Sequence, residues 1–240
     1  MTRTYSNDFL KDPARVLRLM GEYEKQLIPL FKDFAERMAE ADLGTDLEAV
    51  SAHIDALLEE AVLSPAGSII QKAVPLAYRH GDRFAGTMIQ KAGQRAHAAT
   101  EWWETVALLV TKNVGDLKGI TDEVAKRIRR TIADGLLAGK SQGQMAREIA
   151  GIVEDVGEYR ARLMVKTETM RAVNAGTKDR YERGGFTLFE RIEVDDDRTC
   201  DYCLSIDGKI CTREEADAID ASIHPGCRGT WLPYVKKEAP

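Results

Sequence analysis

Residues 200–227 read CDYCLSIDGKICTREEADAIDASIHPGC and contain all four cysteines of the 240-residue chain. Cys200 and Cys203 form a C-x-x-C pair, and His224 and Cys227 form an H-x-x-C pair further along. Two such half-sites are typical of a tetrahedral Cys₃His zinc site, in which short turns bring thiolates and an imidazole to one ion. The stretch therefore predicts one structural zinc ion per chain, bound by these four residues.

The segment between the half-sites carries a turn signal. Asp207-Gly208 is typical of a two-residue β-hairpin turn, and residues 204–206 and 209–211 are predicted as its strands. Pro225 restricts φ within the second half-site and limits how that loop relaxes without metal. We therefore expect a hairpin that presents the first pair of ligands at its mouth.

Cysteines at this spacing can also be ordinary buried residues or form a disulfide. A disulfide is not expected, because residues 1–8 are polar and lack an apolar signal segment for export to an oxidising compartment. We interpret Cys211 as a small core residue, since the zinc site has four ligands without it. Four protein ligands leave no position for a catalytic water, which favours a structural ion.

The rest of the chain is predicted to be mainly helical. Apolar residues recur at three- and four-residue spacing, and Ser141 with Gln144 forms a capping-box pattern. Breaks are predicted at 44–46 and 64–67, and a linker at 115–119 precedes a helix that begins at Thr121. Beyond residue 185 the pattern alternates, which predicts strands. The predicted class is α+β, a mainly helical body with a small C-terminal β-hairpin or sheet module stabilised by zinc.

Charge and hydropathy exclude two broad classes. A net charge of −5 argues against a protein that coats nucleic acid over its whole surface. Residues 112–183 are mildly basic, with 15 Lys and Arg against 11 Asp and Glu. Arg127 and Arg130 in this part are candidates for non-specific DNA contact, although such residues usually form a solvated helix face. No apolar run approaches the roughly 20 residues of a membrane span, so membrane insertion is not expected.

From about Ile120 to Tyr234 the sequence resembles the phage head morphogenesis family, the Mu F-like minor head proteins of tailed phages. The resemblance lies in an ordered series of short elements: Lys166-Thr167-Glu168, Asn174-Ala175, Tyr181, Gly184-Gly185, Asp197-Arg198-Thr199-Cys200, Cys203, Asp207-Gly208, His224-Pro225, Cys227-Arg228 and Pro233. The family often reads H-P-x-C-R-C at its end, whereas Gly229 stands here at the last cysteine. Cys227 is then the one cysteine available as a ligand there.

The resemblance implies a minor head protein in the virion, in the capsid interior near the portal vertex, that acts in head assembly or in handling packaged DNA. The implied partners are the portal protein, a major capsid or scaffolding protein, and non-specific double-stranded DNA. Residues 1–115 are expected to form a helical region that docks on head proteins, and residues 120–240 the Mu F-like domain. Apolar residues such as Leu17, Met20 and Leu27 either serve that docking or belong to the core.

Polar residues of the resemblance are expected to have a structural role. Glu168 and Asn174 are six apart on one predicted helix, so they point to different faces and do not form an adjacent acid–base pair. We interpret them, with Thr167, as groups that fix loops through buried hydrogen bonds.

Two other functions remain open at this stage. The first is a nuclease-like enzyme with a structural zinc, but His53, His80 and His97 lie in upstream helical segments and His224 belongs to the predicted zinc site, which leaves no general base. The second is an effector or toxin fragment, which is expected to need further chain after Pro240. We therefore favour a structural, non-enzymatic head protein.

Overall fold

A computed structural model describes residues 12, 14–41, 46–94, 102–194 and 196–235 of the chain. The described helices and strands, in chain order, are α1 (Leu17–Glu40), α2 (Leu47–Leu58), α3 (Ser64–Lys91), α4 (Trp103–Leu137), α5 (Gln142–Ile152), α6 (Tyr159–Arg183), β1 (Phe189–Ile192), α7 (Asp201–Ile206), β2 (Ile210–Cys211), α8 (Arg213–Ser222) and β3 (Thr230–Pro233). Two π-helical turns, Glu59–Leu63 and Val153–Glu158, connect α2 to α3 and α5 to α6. The predicted class, a mainly helical chain with a small C-terminal sheet, is confirmed.

Helix α5 begins as the sequence predicts. The Ser141 hydroxyl accepts from the N–H of Gln144, and the Gln144 side chain accepts from the N–H of Ser141, which completes the capping box. Helix α1 buries a long apolar stripe that includes Met20 and Leu27, whereas Leu17 is 53% exposed. Of the two alternatives predicted for these residues, Met20 and Leu27 thus belong to the core.

Two predicted breaks in the helices are wrong. Residues 115–119 lie inside α4, which runs without interruption from Trp103 to Leu137. A glycine costs about 1 kcal/mol relative to alanine inside a helix, whereas the buried side chains of Leu117, Ile120 and Val124 keep the helix in place. Residues 64–67 likewise do not break the chain, because α3 follows directly on the π-helical turn Glu59–Leu63 and the backbone stays helical across Pro65.

The described chain divides into two compact units. The first comprises Met1–Met20, Ala73–Leu109 and Lys166–Pro240, and the second comprises Gly21–Lys72 and Val110–Val165. Each unit thus draws on both halves of the sequence. The assignment of docking to residues 1–115 and of a head morphogenesis domain to residues 120–240 stays a prediction.

The sheet belongs to the first unit and has the strand order β2-β1-β3, with both pairs antiparallel. The predicted hairpin is wrong in its first strand, because residues 204–206 belong to helix α7. Asp207 and Gly208 instead lead from α7 into β2, and Gly208 has a φ of +82°, which favours glycine. The N–H of Gly208 donates to the Arg191 carbonyl oxygen at 2.9 Å, so the turn is joined to β1.

A hydrophobic cluster in the first unit lies beneath the sheet. It contains Tyr181, Phe189, Cys211 and Trp231, all fully buried. The interpretation of Cys211 as a core residue is confirmed, and burial raises the pKa of its thiol. Among the described residues, no helix is both long enough and apolar enough to cross a bilayer.

Candidate metal centre

The first half-site lies at the start of α7. Cys200 is the N-cap residue and is exposed, whereas Cys203 follows in the first turn and is 2% exposed. A hydrogen bond from the backbone N–H of Cys203 lowers the pKa of the Cys200 thiol. Burial raises the pKa of the Cys203 thiol, with the nearby Cys227 and Glu193 acting in the same direction. Without a cation, these effects favour the neutral thiol of Cys203.

The second half-site lies in the loop between α8 and β3. Nδ1 of His224 is 3.0 Å from the carbonyl oxygen of Pro225, which only accepts hydrogen bonds, so Nδ1 donates its proton there. In the neutral ring Nε2 then carries the lone pair, and it lies 3.1 Å from Sγ of Cys203. A second interaction that fixes the ring and its tautomer in this way is typical of metal-binding histidines.

Cys203 is the common member of two groups of candidate ligand atoms. Cys200, Cys203 and His224 form one group, and Glu193, Cys203 and Cys227 form the other, with the atoms of each group within 4.8 Å of one another. The Sγ atoms of Cys203 and Cys227 are 3.7 Å apart. The structure thus places the other three predicted ligands, Cys200, His224 and Cys227, near Cys203. Together with Cys203 they fall into two groups rather than one.

Residues of both half-sites line a small cavity of about 20 Å³. Its lining includes Cys203, His224 and Cys227 together with Glu193 and Arg228. That volume holds about one water-sized particle. All four cysteines are free thiols, and thiolates with an imidazole suit zinc better than hard cations such as magnesium. The donor set and the cavity therefore fit a single zinc ion.

Cys227 is buried and lies beside two hydrogen-bond donors. Its Sγ is 3.4 Å from the backbone N–H of Gly229 and 3.3 Å from Nη2 of Arg191, both of which are donors. Burial raises the pKa of this thiol, while the positive charge of Arg191 acts against that rise. Arg191 also lies over the Trp231 ring, with Cζ 5.0 Å from the ring centroid.

Sequence reasoning missed Arg191 and Glu193. The alternating pattern after residue 185 sets them against Leu188, Ile192 and Val194, which suggests a solvent-facing polar face. Both side chains are instead buried, and Nε of Arg191 donates to Oε1 of Glu193 at 2.7 Å. The sequence does carry one signal: Arg191 and Glu193 have opposite charges at positions i and i+2, shortly before the metal-binding motif.

Residues of helix α6 hold the loop of the second half-site. The Thr167 hydroxyl accepts from the N–H of Gly226 at 2.9 Å. Asn174 donates to the Gly229 carbonyl at 3.2 Å and accepts from the Thr230 hydroxyl at 2.9 Å. The predicted role of Thr167 and Asn174 in fixing loops is confirmed, whereas Glu168 forms an ion pair with Arg171 of its own helix.

The two candidate DNA contacts lie on helix α4. Nε of Arg127 donates to Glu123 at 2.8 Å, and Nε of Arg130 is 3.6 Å from Asp134. Both arginines are therefore paired with a carboxylate one turn away along the same helix. Their contact with DNA stays a prediction.

Together, the fold and the cluster define a mainly helical protein with a candidate zinc site beside its small C-terminal sheet. Residues 126–232 match the family model described as Phage Mu protein F like protein. This match confirms the resemblance seen in the sequence, and this part of the chain is similar to the Mu F-like phage head morphogenesis family. No curated protein and no solved structure matches the chain.

Proposed function

We propose that this protein is a minor head protein of a tailed phage or prophage, located in the capsid interior near the portal vertex. The observation that supports this is the Mu F-like domain over residues 126–232, since that family is a structural family of head morphogenesis. The portal protein and a major capsid or scaffolding protein are the proposed partners. The proposed function of this chain is in head assembly and in the handling of packaged DNA.

The metal in this proposal is structural. Zinc would be held by Cys203, His224 and Cys227 together with a fourth protein ligand, for which the sequence predicts Cys200. Cys200 and Cys203 lie at the start of α7, and His224 and Cys227 lie in the loop before β3. One ion would therefore join two segments that are far apart in the sequence. In small zinc-finger peptides the free energy of zinc binding is about 10–16 kcal/mol, and it stabilises the folded state.

Several side chains prepare the site for the ion. Thr167 and Asn174 hold the loop from the side of α6, and His224 is held by the carbonyl of Pro225. Arg191 places a positive charge beside Cys227, which favours its thiolate. All of these groups orient ligands or balance charge, as expected for a closed structural site.

Quantitative mass spectrometry of purified virions tests the proposed location. We expect this chain in mature heads at a few copies per portal, and co-purification of the portal protein with a tagged copy of the full chain. A phage lacking the gene should produce heads that are fewer or incompletely filled with DNA. Normal, infectious particles that contain none of this protein would contradict the proposal.

A further inference from the structure

Glu193 is a buried carboxylate beside the sulfur atoms of the candidate metal centre. Its side chain is 3% exposed, and it forms a group of mutually close ligand atoms with Cys203 and Cys227. Oε2 of Glu193 lies 3.6 Å from Sγ of Cys227. When both thiols are ionised, a carboxylate and two thiolates this close together in a buried site require a cation between them.

The distances among these atoms match the edges of a metal-centred tetrahedron. Zinc binds sulfur at about 2.3 Å and carboxylate oxygen at about 2.0–2.2 Å, which gives S···S edges of about 3.8 Å and S···O edges of about 3.5–3.7 Å. The observed separations are 3.7 Å between the sulfurs of Cys203 and Cys227 and 3.6 Å from Cys227 to Glu193. Nε2 of His224 is 3.1 Å from Sγ of Cys203, which is shorter than the S···N edge of about 3.5 Å in such a tetrahedron.

The Glu193 carboxylate is held in one orientation. Oε1 accepts from Nε of Arg191, which leaves Oε2 as the oxygen nearer to Cys227. The backbone N–H of Glu193 donates to the Asp207 carboxylate at 2.9 Å, so the main chain is fixed as well. The net charge of the occupied site would be zero, because two thiolates and one carboxylate balance a divalent cation and the Arg191 guanidinium.

The position of Gly229 gives an independent observation on the space that the Glu193 carboxylate occupies. A Cβ atom at this position would overlap Oε2 of Glu193 and Nη2 of Arg191. No side chain fits at 229 while that pair is in place, so the cysteine of the H-P-x-C-R-C pattern is incompatible with it. The Glu193 carboxylate occupies the space into which a side chain at 229 would project.

We propose that Glu193 Oε2 is the fourth metal ligand of this chain, beside Cys203, His224 and Cys227, and that Cys200 lies outside the coordination shell. Cys200 and His224 are both exposed, and neither belongs to the group formed by Glu193, Cys203 and Cys227. His224 nevertheless lines the small cavity together with these three residues, whereas Cys200 is not part of its lining. The inference rests on the metal site of the proposed function and changes its ligand set at one position.

Cobalt substitution of the full-length protein tests the inference, because the intensity of the thiolate-to-cobalt charge-transfer band follows the number of bound thiolates. Cys200→Ser should leave this band and the cobalt affinity unchanged. Glu193→Gln, which keeps the shape and an oxygen for Arg191, should shift the d–d bands and lower the affinity at least 10-fold, the size of effect known for groups that support a metal site. Circular dichroism checks that both variants fold.

The outcomes separate this inference from the wider proposal. A charge-transfer band that falls by about one third in Cys200→Ser, as expected for loss of one of three thiolates, would overturn the role of Glu193 and leave a Cys₃His site. Unchanged d–d bands in Glu193→Gln would also overturn it. Failure of the unaltered protein to bind cobalt or zinc would instead reject the metal site itself. Cys200→Ser, at an exposed position, keeps the test decisive if Glu193→Gln does not fold.

Discussion

The hydroxyl of Thr167 accepts a hydrogen bond of 2.9 Å from the backbone N–H of Gly226, and so joins helix α6 to the loop that carries His224 and Cys227. Thr167→Val keeps the shape of the side chain and removes the acceptor. A buried donor left without a partner costs about 1–3 kcal/mol, and the partly buried N–H of Gly226 should lie at the lower end of this range. Because the loop positions two ligands, zinc affinity should also fall by about 10–100-fold. Chelator competition and urea unfolding measure the two effects.

Thr87→Val is a matched control for that substitution. The Thr87 hydroxyl is exposed and donates only to the Arg83 carbonyl of its own helix at 3.2 Å. We expect this variant to keep its metal affinity and to change in stability by less than about 0.5 kcal/mol. Thr167→Val with unaltered zinc affinity would show that its hydrogen bond stabilises the loop without positioning the ligands.

Cys203→Ser should abolish metal binding, because Cys203 belongs to both groups of candidate ligand atoms. Zinc content, measured by elemental analysis of protein purified without added metal, should fall from one ion per chain to nearly none. Cys211→Ala is the matched substitution of a buried cysteine outside the cluster. It should lower stability by about 1 kcal/mol and keep the zinc. Loss of zinc in Cys211→Ala would show that the ligand assignment is wrong.

The half-sites were predictable because their signal is local. Cys200 with Cys203, and His224 with Cys227, are each separated by two residues, and a short turn is enough to bring each pair together. Glu193 was not predictable in this way, since its place beside Cys227 depends on the pairing of β1 with β3 and on Arg191. Long-range pairing of this kind leaves little trace in one sequence.

Helix continuity was misjudged for a different reason. Gly115 and Gly119 have no atoms near the positions of their missing side chains, so nothing in their surroundings requires glycine. The small helix penalty of each glycine is outweighed by the burial of Leu117 and Ile120 beside them. Local propensity therefore predicts a linker where tertiary packing forms a helix.

Gly176→Ala should strongly destabilise the first unit. A Cβ at 176 would overlap the carbonyl oxygen of Tyr78, a backbone atom that has no room to move away. Overpacking of this kind typically costs about 1–3 kcal/mol. Gly67→Ala is a matched control in helix α3, because nothing lies within 4 Å of its Cβ position. It should stabilise by about 0.5–1 kcal/mol, and urea unfolding that ranks the two variants the other way would contradict the close approach of α3 and α6 at this point.

Stability at acidic pH should depend on Asp217. Burial opposes ionisation of this carboxyl, but the hydrogen bond and charge of Lys178, at 2.5 Å, hold its pKa below the usual range. The unfolded chain therefore binds more protons than the folded protein near the ordinary Asp pKa of about 3.9, and stability falls as pH decreases through that region. Asp217→Asn should be less stable than the unaltered protein at pH 7, and the difference should shrink from about pH 5 to pH 3.

Urea unfolding at a series of pH values between 3 and 7 measures this difference. Asp134→Asn is the control, because Asp134 lies in an exposed ion pair with Arg130 that contributes about 0–1 kcal/mol. An equal difference at every pH for Asp217→Asn would show that the interaction with Lys178 does not depend on the charge of the carboxylate.

Non-specific DNA binding, if it involves helix α4, should depend on Arg127 and Arg130. Their carboxylate partners, Glu123 and Asp134, form exposed ion pairs that contribute little and exchange readily for phosphate. Replacing both arginines by glutamine should weaken binding to double-stranded DNA and reduce the log–log salt slope by about 0.9 for each phosphate that the variant no longer neutralises. Arg37→Gln is the control, since Arg37 lies in an exposed ion pair with Glu60 outside this helix. Fluorescence anisotropy over a range of salt concentrations gives the slopes, and equal slopes for the double variant and the unaltered protein would exclude α4 from the DNA interface.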